Sequence, residues 1–148
     1  MLNKNQTTVV RSLQLQDAAR VALGRPSWEQ NLAHTLGEIV GRDEGPLTYL
    51  DVVRLSLPNQ RSGVCTLVSL RGTRVRGLAS GRRRSGHTVW ELSRLLLVPG
   101  DASSAGALFE RFCQRVALRG GHRVFVRLHE RDGLDGEARR SGFIRCQE

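Results

Sequence analysis

Residues His87 to Gly100 read HTVWELSRLLLVPG. The stretch opens on β-branched and aromatic residues and alternates through Val89 to Arg94. It then turns continuously apolar at Leu95-Leu96-Leu97 and is stopped by Pro99-Gly100. A strand over Val89 to Val98 is predicted, central in its sheet, because an apolar run without alternation needs cover on both faces.

Working outward from this strand, Ser103 or Ser104 can cap a helix running to about Arg119. Ala107, Leu108, Phe112, Cys113 and Val116 form its buried stripe, and Gly120-Gly121 ends it. Arg123 to Leu128 (RVFVRL) reads as a strand, Asp135 to Ser141 as a short helix, and Gly142 to Cys146 as the start of a further strand. On the other side, Thr7 to Leu13 reads as a first strand. A helix follows with Leu15, Ala18, Ala19, Ala22 and Leu23, and a second one opens at Pro26-Ser27 and closes at Gly41, carrying Trp28, Leu32, Leu36, Ile39 and Val40. Leu47 to Leu57, Val64 to Leu70 and Thr73 to Ser80 each read as strands, separated by the turn signals Pro58-Asn59 and Arg71-Gly72. The run Gly81 to Gly86 reads as a solvated connection. The predicted order is β-α-α-β-β-β-α-β-α-β, without internal repeats.

At 148 residues with 39% hydrophobic and 25% charged positions, one domain spanning residues 1–148 is expected, held by a single core without disulfides or a structural metal. No apolar stretch is long enough to cross a bilayer, and the first thirty residues lack signal-peptide order. Cys65, Cys113 and Cys146 are odd in number and widely spaced, so three reduced thiols in a cytosol are expected. The net charge is +9, and Lys4 is the only lysine among 23 basic residues. Arginine forks suit phosphate and carboxylate, yet a GC-rich coding bias gives the same composition without selection for binding. The scatter of the arginines along the chain favours bias.

The segments VWELSRLLLVPG, HRVFVRLHE and EARRSGF, in this order of elements, resemble the fourth strand, the fifth strand and the last helix-turn of the GNAT superfamily of acyl-CoA-dependent N-acetyltransferases. The resemblance covers Trp90 to Phe143, and the first half of the chain by element order alone. It implies an α/β fold with a mixed, mostly antiparallel central sheet flanked by helices. It also implies a function: transfer of an acetyl or other acyl group from acyl-CoA to a small-molecule or peptide amine by direct attack.

The same resemblance implies a site. Acyl-CoA would lie where the fourth and fifth strands splay, with its pantetheine amide on backbone groups of Leu96, Leu97 and Val98. Its pyrophosphate would sit at the start of the following helix, on Ser103, Ser104, Ala105 and Gly106. Glu91 stands where the family carries its general base. The loop departs from the family's [RQ]-x-x-G-x-[GA] pattern by placing serine five residues after Val98, with Asp101 adding a negative charge nearby. Ala138 takes the position of the tyrosine that protonates the leaving thiolate. The sole tyrosine, Tyr49, lies elsewhere in the sequence. Only five residues follow Phe143, where the family completes its sheet with a hairpin or a donated strand. Either a longer protein supplies that strand, or a second copy or partner covers the edge.

Each of these residues also has an ordinary structural reading. Ser103-Ser104 can simply cap a helix, Glu91 can pair across the sheet with an arginine, and Arg82-Arg83-Arg84 can be a solvated turn. Parity places Arg94 on the face opposite Glu91, as a potential substrate or phosphate ligand. His122 and His129 flank a strand with no cysteine or carboxylate to complete a zinc set, so no metal is expected. Two function classes follow: a GNAT-like enzyme, and a degenerate GNAT-like module kept for interaction or regulation. A nucleic-acid-binding protein ranks third, argued by charge alone. Seven aromatic residues, four of them phenylalanine, leave little for base stacking, so nucleic acid is not an expected partner.

Overall fold

A computed structural model describes residues 7–14, 16–17, 37–40, 49–56, 63–72, 74–84 and 88–146 of the chain. Its strands are β1 (Thr8–Ser12), β2 (Gly37–Val40), β3 (Val64–Arg71), β4 (Arg74–Arg83), β5 (Val89–Leu97) and β6 (Arg123–Phe125). The helices are α1 (Tyr49–Ser56), α2 (Ala102–Leu118) and α3 (Asp135–Arg140). The strands form one sheet in the order β1-β3-β4-β5-β2, with β6 also on β5. Every pairing is antiparallel except β5 with β6.

The HTVWELSRLLLVPG strand is central, as its apolar run requires. Its ladder to β4 skips one residue: Gly81 pairs Leu92 and Ser80 pairs Arg94, leaving Ser93 as a bulge. The extra residue resets the alternation. Trp90, Leu92, Leu95 and Leu97 all join the core under α2, with Leu67, Ala79, Leu108, Phe109, Phe112 and Val116. Leu96 joins a second core on the opposite face, with Leu13, Val68, Leu70, Leu78 and, from α1, Val53 and Leu55. The bulge also corrects the parity reading of Arg94, which shares the face of Glu91 instead of opposing it.

Helix α2 lies close on the sheet because β4 carries glycine beneath it. A Cβ at Gly77 would stand 2.9 Å from Leu108 Cδ1, and one at Gly81 would collide with the Phe112 ring. At the other end of this layer, Gly142 leaves α3 with φ +95°, a backbone state that disfavours any side chain. That turn delivers Phe143 edge-on to Phe109, with ring centroids 5.4 Å apart.

Several expectations change. Leu47 to Leu57 contains the helix α1 rather than a strand, since a short apolar run alone does not distinguish the two. Ile39 and Val40 close a strand, not a helix. Strand β4 runs on through Arg82 and Arg83 because β3 and β5 both offer ladder partners there. Strand β6 stops at Phe125, where its pairing with β5 ends, and residues 142–146 form no strand. The helix predicted from Leu15, and all of the second one before Gly37, lie outside the described residues apart from positions 16–17.

Candidate functional site

The outer edge of β5 has two partners. Its first part, Val89 to Glu91, pairs β6, and its last part, Leu95 to Leu97, pairs β2. Between them, at the Ser93 bulge, the neighbours part. Val98 donates its amide to the Arg76 carbonyl (3.1 Å), and its own carbonyl accepts from the Asp101 amide (3.0 Å). An antiparallel ladder alternates sides, so Leu96, like Val98, turns its backbone groups toward β4, while those of Leu95 and Leu97 face outward. Of the three residues expected to hold a pantetheine arm, Leu97 alone faces the outer edge. Its register partner there is Gly37 of β2. Both backbone groups of Val98 are engaged within the chain.

Asp101, rather than a serine, caps α2. Its carboxylate accepts from the Ser104 amide (3.3 Å), the Ser104 hydroxyl (2.9 Å), the Ser103 hydroxyl (2.9 Å) and Arg76 Nε (2.9 Å). Burial pushes this carboxyl up, but the hydrogen bonds from Ser104, Ser103 and Arg76 outweigh it and hold the group below its ordinary range. Ser104 and Ala105 are fully buried. Gly106 faces α3: a Cβ there would lie 2.7 Å from Glu137 Oε2. The helix start that the resemblance assigns to a pyrophosphate thus holds a carboxylate of the chain itself. The signal was legible, since Asp101 stands three residues before Ser104, the spacing of an N-cap to the amide it accepts from.

Glu91 stands at the N-terminal end of the same strand, on the face of Arg82 and Arg94. Arg84 Nη2 lies 2.9 Å from Glu91 Oε2, and Arg82 Nε lies 4.0 Å away. The Arg84 contact is one of charge, because Oε2 has no directed hydrogen bond. The Arg84 guanidinium also lies over the Phe125 ring, 5.5 Å from its centroid. The cross-strand ion pair that sequence offered as the ordinary reading of Glu91 is therefore present, and Arg82 and Arg84 belong to it rather than to a bare turn.

Ala138 is buried in the core on α3. Burial pushes the Cys65 and Cys113 thiols up, with Arg119 and Arg115 pulling Cys65 part of the way back, so neither is a ready thiolate. Among the described residues, no three His, Cys, Asp or Glu side chains cluster to hold a metal, and no helix is long and apolar enough to cross a membrane.

This arrangement of strands and helices recurs in solved structures. An acetyltransferase of Trypanosoma brucei superposes with a TM-score of 0.63 over 96% of each chain, at 19% identity. An acetyltransferase of GNAT family from Streptococcus pneumoniae reaches 0.66 over 93% of this chain and 84% of its own, at 14% identity. The chain has the GNAT fold. A third GNAT-fold neighbour, an aminoglycoside N-acetyltransferase solved in complex with CoA, reaches 0.67 over 100% of this chain and 95% of its own, at 9% identity. By sequence, neither a protein-family model nor a curated protein matches.

Neighbours of this fold are acetyltransferases, so the residues must be asked whether acyl-CoA fits them. They do not fit it in the way the resemblance implies. Along β5 a strand of the chain stands where the arm would pair, and at α2 a carboxylate held by four donors stands where the phosphates would sit.

Proposed function

We propose that this chain is a GNAT-fold module that takes up no acyl-CoA and serves as an interaction or regulatory domain. The Asp101 clasp at the start of α2 carries this reading. Phosphate brought against that carboxylate would meet a like charge, at a cost of about 1 to 4 kcal/mol per charge pair at about 4 Å, depending on solvent access. It would also have to take over donors that Asp101 already uses. The strand β2 along Leu95 to Leu97 supports the same conclusion from a separate part of the site.

Isothermal titration with acetyl-CoA tests this directly. No heat is expected at ligand concentrations up to about 1 mM, which bounds any binding free energy at about −4 kcal/mol. A saturable isotherm below that concentration would overturn the proposal.

One observation favours a second reading, an acyltransferase acting on an amine: the parting of β5's neighbours falls at the Ser93 bulge, close to Glu91. Under that reading, thiol is released from acetyl-CoA in the presence of an amine, and Glu91→Gln lowers turnover by about 10²- to 10⁴-fold, the usual contribution of a general base. Under the module reading, no acceptor-dependent thiol release occurs, in wild type or in Glu91→Gln.

A further inference from the structure

Ion pairs hold several arginines in the fold: Arg11 with Asp17, Arg76 with Asp101, Arg139 with Asp135, Arg140 with Glu137 and Arg145 with Glu130. Six others gather at one end of the sheet. Arg82, Arg83 and Arg84 close β4, Arg115 and Arg119 close α2, and Arg123 opens β6.

Backbone contacts draw these segments together. The Arg83 amide donates to the Gly63 carbonyl (2.7 Å), the Arg84 amide to the Val89 carbonyl (2.9 Å), and the His122 amide to the Thr88 carbonyl (2.7 Å). Arg119 Nη1 donates to the Val64 carbonyl (2.5 Å), and its guanidinium lies 5.8 Å from the Trp90 ring centroid. Among the described residues, the carboxylate paired with these arginines is Glu91, with its side chain only 14% exposed, whereas Arg82 and Arg84 are 56% and 46% exposed. Arg83, Arg119 and Arg123 are also exposed. The negative end of the α2 dipole explains Arg115 and Arg119 in part, but not Arg82, Arg83, Arg84 or Arg123.

We propose that this end of the sheet is a binding surface for the phosphate backbone of a nucleic-acid duplex. The expectation against nucleic acid rested on the scarcity of aromatics for stacking, and the aromatics at this end are indeed covered: Trp90 is buried and Phe125 lies under Arg84. A duplex presents its phosphates without requiring stacking, and arginine forks suit them. The arginines are scattered in sequence, and the hairpin and the α2–β6 turn bring them to one end of the sheet, with Arg82 and Arg84 on the side of Glu91 and Arg83 on the side of Trp90 and Arg119. This surface lies at the opposite end of β5 from Asp101, so it stands or falls independently of the acyl-CoA question.

Fluorescence anisotropy of the full chain with labelled duplex DNA and duplex RNA of about 20 base pairs reads it out. Contacts to four phosphates predict that affinity falls about a hundredfold between about 50 and 200 mM salt. Arg83→Glu combined with Arg123→Glu removes two exposed guanidiniums that have no ion pair among the described residues, and is expected to lower the salt slope by about two and affinity by about tenfold or more. The control, Arg139→Glu with Arg140→Glu, changes the net charge equally at α3 and is expected to shift affinity by less than about threefold. No binding at about 50 mM salt, equal effects of the two double variants, or polyglutamate competing as well as duplex would each overturn the proposal. Circular dichroism on both variants separates loss of binding from loss of fold.

Discussion

Asp101→Ala is expected to lower stability by about 1 to 2 kcal/mol and, at the same time, to raise affinity for pyrophosphate-bearing ligands. The loss follows from removing the α2 cap, which leaves the Ser104 amide without its acceptor, and from leaving the half-buried Arg76 without its partner. The gain follows because the Ser103 hydroxyl and Arg76 Nε, now turned to Asp101, become available to another anion at the positive end of the helix. A urea-unfolding midpoint reads the first effect. Titration of wild type and variant with CoA reads the second: the variant binds while the wild type gives no heat. A variant that loses stability and still gives no heat would show that Asp101 is a cap only and does not exclude phosphate.

The same carboxylate sets a pH dependence. Its folded-state pKa is depressed, so it binds fewer protons folded than unfolded. Its contribution is fully present above the unfolded value of about 3.9 and is lost as pH falls through the depressed folded value. Asp101→Asn retains a good cap but lacks the titration, and its stability profile is expected to be flatter than that of wild type below about pH 4.

Phe112→Ala is expected to cost about 3 to 5 kcal/mol, read from the same unfolding curves. Phe112 is fully buried among Leu92, Phe109, Val116 and the sheet, so its removal leaves a cavity that close-packed neighbours fill only in part. Gly81→Ala tests the same contact from below. The new methyl would meet the Phe112 ring and, at 2.5 Å, the Glu91 carbonyl oxygen, so a loss of about 1 to 3 kcal/mol is expected. Combining Gly81→Ala with Phe112→Leu is expected to cost less than the sum of the two single changes, because a smaller side chain above makes room for the methyl below. Relief is partial, since the Glu91 carbonyl belongs to the backbone. Strict additivity would mean that the helix does not rest on this glycine.

Much of the second half of the fold was legible from residues 87–143. There the apolar period is long, the stops are Pro99-Gly100 and Gly120-Gly121, and local propensity agrees with the tertiary answer. The first half was less so. Tyr49–Ser56 is helical although its apolar run reads equally as a strand, and only packing of Val53 and Leu55 against Leu96 and Leu78 decides the matter. Gly37–Val40 is two β-branched residues and two others ahead of a glycine, too short for any period to declare itself. The candidate site was legible only as a list of positions. The resemblance names Glu91 and residues between Leu96 and Gly106, but whether their groups are free depends on partners from other segments: Arg76 for Val98 and Asp101, Gly37 for Leu97, and Arg84, across the β4–β5 hairpin, for Glu91.

The amino-acid order by itself determined the central strand, the amphipathic helix behind it, the reduced core of apolar side chains and the excess of arginine. These follow from periodicity, turn chemistry and composition, which act over a few residues. Only the tertiary structure decided that Ser93 is a bulge, that Arg76 reaches Asp101 at the helix start, that β2 takes the edge of β5, and that dispersed arginines meet at one end of the sheet. Each of these depends on which segments become neighbours, and that is set by burying both faces of the sheet at once, a condition on the whole chain that no local window contains.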